Sequence, residues 1–188
     1  MRSNLIIAAL VIAPTAAAAQ SPGETPAIEQ QAAPTKWTGI GLAVDLGWTT
    51  GIAAGVQAQK DRIGVRVTAG WNPIIFATDD KMTDDVDLHG FHTAQINADV
   101  FVQGFDISRT GRLALALGYR YNTLLGHGGA AGIDAQLHRS ANFGWHVYGG
   151  VAVFPQGVDR IEREKGLANV PDATGVEAGL AFGVTFLP

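Results

Sequence analysis

Residues 37–48 alternate strictly with a period of two. One parity carries Ile40, Leu42, Val44, Leu46 and Trp48; the other carries Gly39, Gly41, Ala43, Asp45 and Gly47. Successive side chains of a β-strand point to opposite faces, so this period specifies a strand with one bulky face and one small face. The same pattern returns three times. Residues 62–72 set Ile63, Val65, Val67, Ala69 and Trp71 against Gly64, Arg66, Thr68 and Gly70. Residues 112–123 set Leu113, Leu115, Leu117, Tyr119 and Tyr121 against Ala114, Ala116, Gly118, Arg120 and Asn122. Residues 174–187 set Val176, Ala178, Leu180, Phe182, Val184 and Phe186 against Glu177, Gly179, Ala181, Gly183 and Thr185. Four less regular stretches, 52–59, 91–103, 132–139 and 144–154, bring the expected number of strands to eight. Most exceed the ~5–6 residues of an average soluble strand and match the ~9–11 needed to cross a bilayer at a tilt.

The two faces decide the kind of β-protein. The bulky parity is almost free of charge, while the small parity holds Gly, Ala, Gln, Asn, Thr and the charges. An eight-stranded barrel has an interior just wide enough to be filled by side chains. Small residues suit that interior and large apolar ones suit lipid. The expected fold is therefore all-β, an eight-stranded antiparallel up-and-down transmembrane barrel, which also leaves no backbone unpaired in lipid. The connections agree. Residues 49–51, 72–90, 124–131 and 155–173 read as outer loops, the second and fourth long; 60–62, 104–111 and 140–143 read as inner turns. Trp48, Trp71 and Tyr121 fall near outer strand ends and Trp145, Phe182 and Phe186 toward inner ends, as interface girdles do. The competing reading is a soluble sandwich or lipocalin-like carrier in which these aromatics form the core.

Charged residues make up 16% of the chain and apolar ones 47%, which excludes a disordered profile. The absence of Cys excludes a disulfide scaffold, a thiolate metal site, a Cys nucleophile and a lipid-anchored lipoprotein. A net charge of −4 argues against a nucleic-acid partner. Residues 1–19 run from Met1 and Arg2 through an apolar stretch to Ala16–Ala19 and read as a secretory signal peptide cut near Ala19. The apolar run is too short for a membrane helix. Residues 20–36, with Pro22, Pro26 and Pro34, read as a flexible periplasmic leader, and 37–188 as the barrel.

The inward parity carries Asp45, Arg66, Asp99, Arg120, Asp134, His138, His146 and Glu177. Buried charges must pair or hydrate. Arg66 and Asp99 lie at similar heights on neighbouring strands and are expected to pair. Asp45 and Glu177 lie on the strands that meet at closure, like charges at similar height that call for a nearby cation, and Arg120 stands at a matching height across the lumen. Such a network either plugs the barrel or lines a narrow, gated or proton-leaky pore. Asp79, Asp80, Asp84, Asp85 and Asp87, opposed by Lys81, read as a solvated acidic loop; divalent-cation binding there is the alternative. Asp159 with Arg163 and Arg160 with Glu164 stand at i,i+4, so a short helical turn is expected in the last loop. No phosphate loop, metal-ligand spacing or repeat is present, and no cofactor is expected.

Lys36-Trp37-Thr38-Gly39, leading through an alternating strand to Gly47-Trp48, resembles the first strand of the small porin-like outer membrane proteins of Gram-negative bacteria, the OmpA-like and opacity-type eight-stranded barrels common in alphaproteobacteria. Glu177-x-Gly179-x-x-Phe182-x-Val184 resembles the C-terminal strand read by the barrel-assembly machinery, although the chain closes Phe186-Leu187-Pro188 where that family usually ends on an aromatic residue. The resemblance implies a bacterial outer membrane location. It implies lipid and lipopolysaccharide as partners, the assembly machinery during insertion, and a host or envelope protein as a further, unspecified contact. The function it implies is structural, with outer loops touching those partners; a narrow passive porin for small solutes is the alternative. His138-x-Ser140 with Asn142 is similar to the His-x-Ser-Asn element of lipid A deacylases, which are also eight-stranded barrels. Here Asn142 is one residue late, no Glu follows before Gln156, and the turn falls at the periplasmic side. No catalytic residue is therefore expected.

Overall fold

The alternation translates directly into strand geometry. The computed structural model describes residues 38–48, 50–80, 85–140, 142–167 and 170–186. The proposed signal peptide and leader, Trp37, Lys81 and Asp84 lie outside the described residues. Eight strands follow one another: β1 (Gly39–Gly47), β2 (Gly51–Lys60), β3 (Ile63–Asp80), β4 (Asp85–Asp106), β5 (Gly111–Asn122), β6 (Gly126–His138), β7 (Phe143–Val153) and β8 (Val176–Phe186). Each pairs antiparallel with its neighbours, and β1 pairs with β8 to close the ring. This is an eight-stranded antiparallel up-and-down barrel. Helix α1 (Gly157–Lys165) and a 3₁₀ turn (Asp172–Gly175) interrupt the β7–β8 connection. That connection shares one rim with the β1–β2, β3–β4 and β5–β6 turns, here called the helix-bearing rim.

The bulky parity faces out. Ile40 is 72% exposed, Leu115 and Leu117 67%, and Leu180 66%. The small and polar parity faces in, where Arg120, Asp134 and Gln57 are each 1% exposed. The barrel is thus inverted relative to a soluble protein, apolar outside and polar inside.

Three boundaries differ from the sequence reading. Residues 72–90 do not form a long irregular loop: β3 and β4 continue to pair from Asn72↔Thr93 up to Asp80↔Asp85. Pro73 reads as a strand breaker, but it pairs only toward β4 and leaves its β2 side unpaired, so its missing N–H interrupts no ladder there. β6 begins at Gly126 rather than 132. Its glycines serve close approach, not a loop: a Cβ on Gly132 would fall 2.7 Å from the Tyr148 ring. β4 also runs past Gly104 to Asp106 through a bulge between Gln103 and Phe105.

Candidate functional site

The interior is built in layers from the inward side chains. Nearest the rim opposite the helix, a chain of hydrogen bonds crosses the lumen. Arg112 donates to Gln103 (2.8 Å), Gln103 to Gln136 (2.6 Å) and Gln136 to Asp134 (3.3 Å). Arg66 on β3 reaches Asp134 on β6 at 2.7 Å and donates through Nε to Gln57 at 2.9 Å. Its guanidinium lies 5.5 Å over the Phe101 ring, which fits against Gly64. Beside this chain, Arg120 meets Asp99 at 2.7 Å, and His146 Nε2 meets Asp45 at 2.7 Å.

Two of these pairs depend on a glycine. Gly183 on β8 is the register partner of both Asp45 on β1 and His146 on β7. With no side chain between them, the two meet across it. A Cβ at Gly183 would lie 2.2 Å from the imidazole and 2.4 Å from the carboxylate. Gly118, the register partner of Asp99, leaves room in the same way; a Cβ there would sit 2.0 Å from the Asp99 carboxylate.

Above the ion pairs lies a neutral polar layer. Asn72 donates to Gln95 (2.8 Å), Gln95 to Asn97 (2.6 Å) and Asn122 to Thr93 (2.9 Å). Above that, the helix-bearing rim is stopped by an apolar plug. Ile161 of α1, fully buried, packs with Leu124, Leu125, Phe154, Ile74 and Phe76. The Asn122 side chain holds the turn below the helix by accepting from the Leu124 and Leu125 amides. The expected helical turn is present as α1, with Arg160 and Glu164 paired at 3.0 Å and Gly166 in the left-handed conformation closing the helix. Arg160 ties the helix to the barrel through the Thr123 carbonyl, at 3.3 Å.

No protein-family model matches this chain, and no curated protein matches it. Among solved structures, the crystal structure of Acinetobacter baumannii CarO2 is similar at 12% identity and a TM-score of 0.40, over 80% of this chain and 99% of that one. The architecture above rests on this chain's own strand register.

The predicted charges occupy the interior, but one expected pairing and one expected height differ. Arg66 and Asp99 are register partners, yet they do not pair. The long Arg66 side chain passes over Phe101 to Asp134, and the short Asp99 is reached from the next strand by Arg120. Asp45 and Glu177 do not share a height: Asp45 lies opposite Gly183, while Glu177 lies opposite Ala152, six residues nearer the helix-bearing rim. Neither Oε2 of Glu177 nor Nε and Nη2 of Arg120 finds a protein partner among the described residues.

Trp48, Trp71 and Tyr121 stand toward the helix-bearing rim, where Trp71 stacks on His92 and Tyr121 packs against His127. Toward the opposite rim, Trp145 packs with Phe143 and Phe182, and Phe186 ends β8. His138 is buried at the end of β6, and Ser140 is exposed in the following turn, where its hydroxyl accepts from the Asn142 amide at 3.3 Å. Asp79, Asp80 and Asp85 lie on the paired ends of β3 and β4, so they belong to a hairpin and not to a free loop; Asp87 is exposed. Among the described residues no three metal-ligating side chains converge. Sequence reasoning missed the part played by Gln57, Gln103, Gln136 and the neutral layer. Their one signal was polar residues recurring on the small parity.

Proposed function

We propose that this chain is a bacterial outer membrane barrel of the small porin-like, OmpA-like class, and that it is a closed structural element of the envelope. The observation that carries the reading is the inversion of the barrel around a filled lumen. The apolar belt outside calls for lipid, and among the described residues the ion-pair layer and the α1 plug both lie across the lumen. The helix-bearing rim then faces outward, with α1 and the β3–β4 hairpin available to lipopolysaccharide, a host surface or a neighbouring envelope protein. The assembly machinery would read the strand that ends at β8. In planar bilayers, refolded protein that shifts on an unboiled gel is expected to be electrically silent. Discrete, reproducible channels would overturn the structural reading and make permeation the function.

A narrow passive pore is the second reading. It is favoured by buried polar atoms with no protein partner among the described residues, Arg120 Nε and Nη2, Asp134 Oδ1 and His146 Nδ1. Such groups call for ordered water, and a connected file of water would leak protons before it passed solutes. We further propose that His138 and Ser140 are not catalytic, since they sit at the rim away from the outer leaflet. Lipid A from cells with and without the protein should give the same mass spectrum; a lost acyl chain would overturn this.

A further inference from the structure

The barrel wall is not equally tall all round. β1 ends at Gly47 and β2 starts at Gly51, while β8 on one side and β3 on the other rise past them. The β1–β8 register stops at Ala181 and the β2–β3 register at Trp71. Residues 176–180 and 73–80 therefore face each other across a gap above the β1–β2 turn. The Trp48 amide, donating to the Leu180 carbonyl at 3.0 Å, forms its sill. A cavity of about 410 Å³ fills the gap, within the usual range for a small-molecule site.

The lining shows that this cavity passes through the wall. Along β3 it touches both the outward Ile75 and the inward Ile74 and Phe76; along β8 it touches both the outward Val176 and the inward Glu177. A second hollow of about 200 Å³ shares Trp48, Pro73 and Ile75 and continues down the outer face beside Leu46. The outer mouth is thus continuous with the lipid-facing surface, where Ile75 is 64% exposed. The inner end carries a carboxyl group whose Oε2 is buried and has no protein partner among the described residues.

Resting on the membrane placement proposed above, we infer that this window binds a single-chain amphiphile from the outer leaflet. Its alkyl chain lies against Trp48, Pro73, Ile75 and Val176, and its head donates a hydrogen bond to Glu177. An alkyl chain suits an apolar mouth that opens on lipid, whereas a polar solute would lose its hydration there. A donor head suits the Glu177 carboxyl group, which lines the inner end of the window. The height fits too. Trp48 and Trp71 mark the outer interface, where lipid heads and chains meet.

The test uses protein in which Trp37, Trp71 and Trp145 are Phe, so that Trp48 is the reporter, reconstituted in phosphatidylcholine vesicles. A companion keeps only Trp145. 11-Bromoundecanol is the quenching probe and 1-bromododecane its headless control. Saturable quenching of Trp48 by the alcohol is expected at mole fractions where Trp145 is quenched only in proportion to added probe. Glu177→Leu should weaken it about tenfold, the worth of one hydrogen bond. Glu177→Gln, which keeps an acceptor, should weaken it less, and Ala178→Phe, which fills the mouth without adding a second tryptophan, should abolish saturation. Equal saturation by bromododecane, or no effect of Glu177→Leu, overturns the assigned role of the head. Proportional quenching of Trp48 in a barrel that floats with vesicles and shifts on an unboiled gel overturns the window and leaves the membrane placement standing. A chain that does not float overturns both.

Discussion

Gly183 shows how the absence of a side chain builds a contact. It separates β1 from β7, and Asp45 and His146 meet across it because nothing stands between them. Gly183→Ala would push a methyl into both partners. Separating a buried pair so that each group loses its partner costs about 3 kcal/mol or more. The variant should therefore lose its fast-migrating gel band at a clearly lower urea concentration. Gly104→Ala, where an added Cβ meets nothing within 4 Å, should match the parent; equal midpoints for the two variants would refute the role given to Gly183. A glycine set between an aspartate and a histidine in register was present in the sequence all along. It could be read only once the register was known.

At the scale of elements, regularity of the pattern did not decide legibility. β1, β5 and β8 stand within two residues of their expected ends, and the less regular β2 and β7 within one. β3 and β4 are longer than expected because Pro73 and the run of Asp residues mimic loop chemistry, whereas Ile74, Phe76 and Phe91 continue the inward parity and feed the plug. β6 was truncated because glycine signals both a turn and a close packing contact. α1 was legible from its i,i+4 charge pairs, but its purpose was not, since Ile161 finds its partners only when the β5–β6 turn rises beneath it. Ile161→Ala should cost about 2–5 kcal/mol of local stability and release the helix without opening the barrel. Trypsin should then cut at Arg160, Arg163 or Lys165 while the gel shift persists. Resistance equal to the parent would show that the helix is held by something other than this side chain.

At the scale of the molecule, the closed barrel proposed above rests on two layers in series, apolar packing at one rim and ion pairs deeper in. Which charges pair was not legible, because Arg66 reaches β6 across the lumen while its register partner Asp99 is claimed from β5. Two barriers in series predict strong non-additivity. Ile161→Asp alone should stay silent in planar bilayers. Arg66→Ala with Asp134→Ala should also stay silent, and should fold, since removing both partners of a buried pair is far milder than removing one. Only the combined variant should conduct; channels from either alone would show that one barrier carries the whole seal.

The seam between β1 and β8 joins Leu42 to Phe186 through to Gly47 and Ala181, six pairs among the described residues and fewer than at any other seam. Its partners are the most distant in the chain, so its loop-closure entropy is the largest and its formation the latest. Until it forms, the molecule is a sheet with two raw edges and an uncovered polar face, open to pairing with a second copy. The shortest seam therefore sets a time limit: the first strand made must wait, unpaired on one side, for the last.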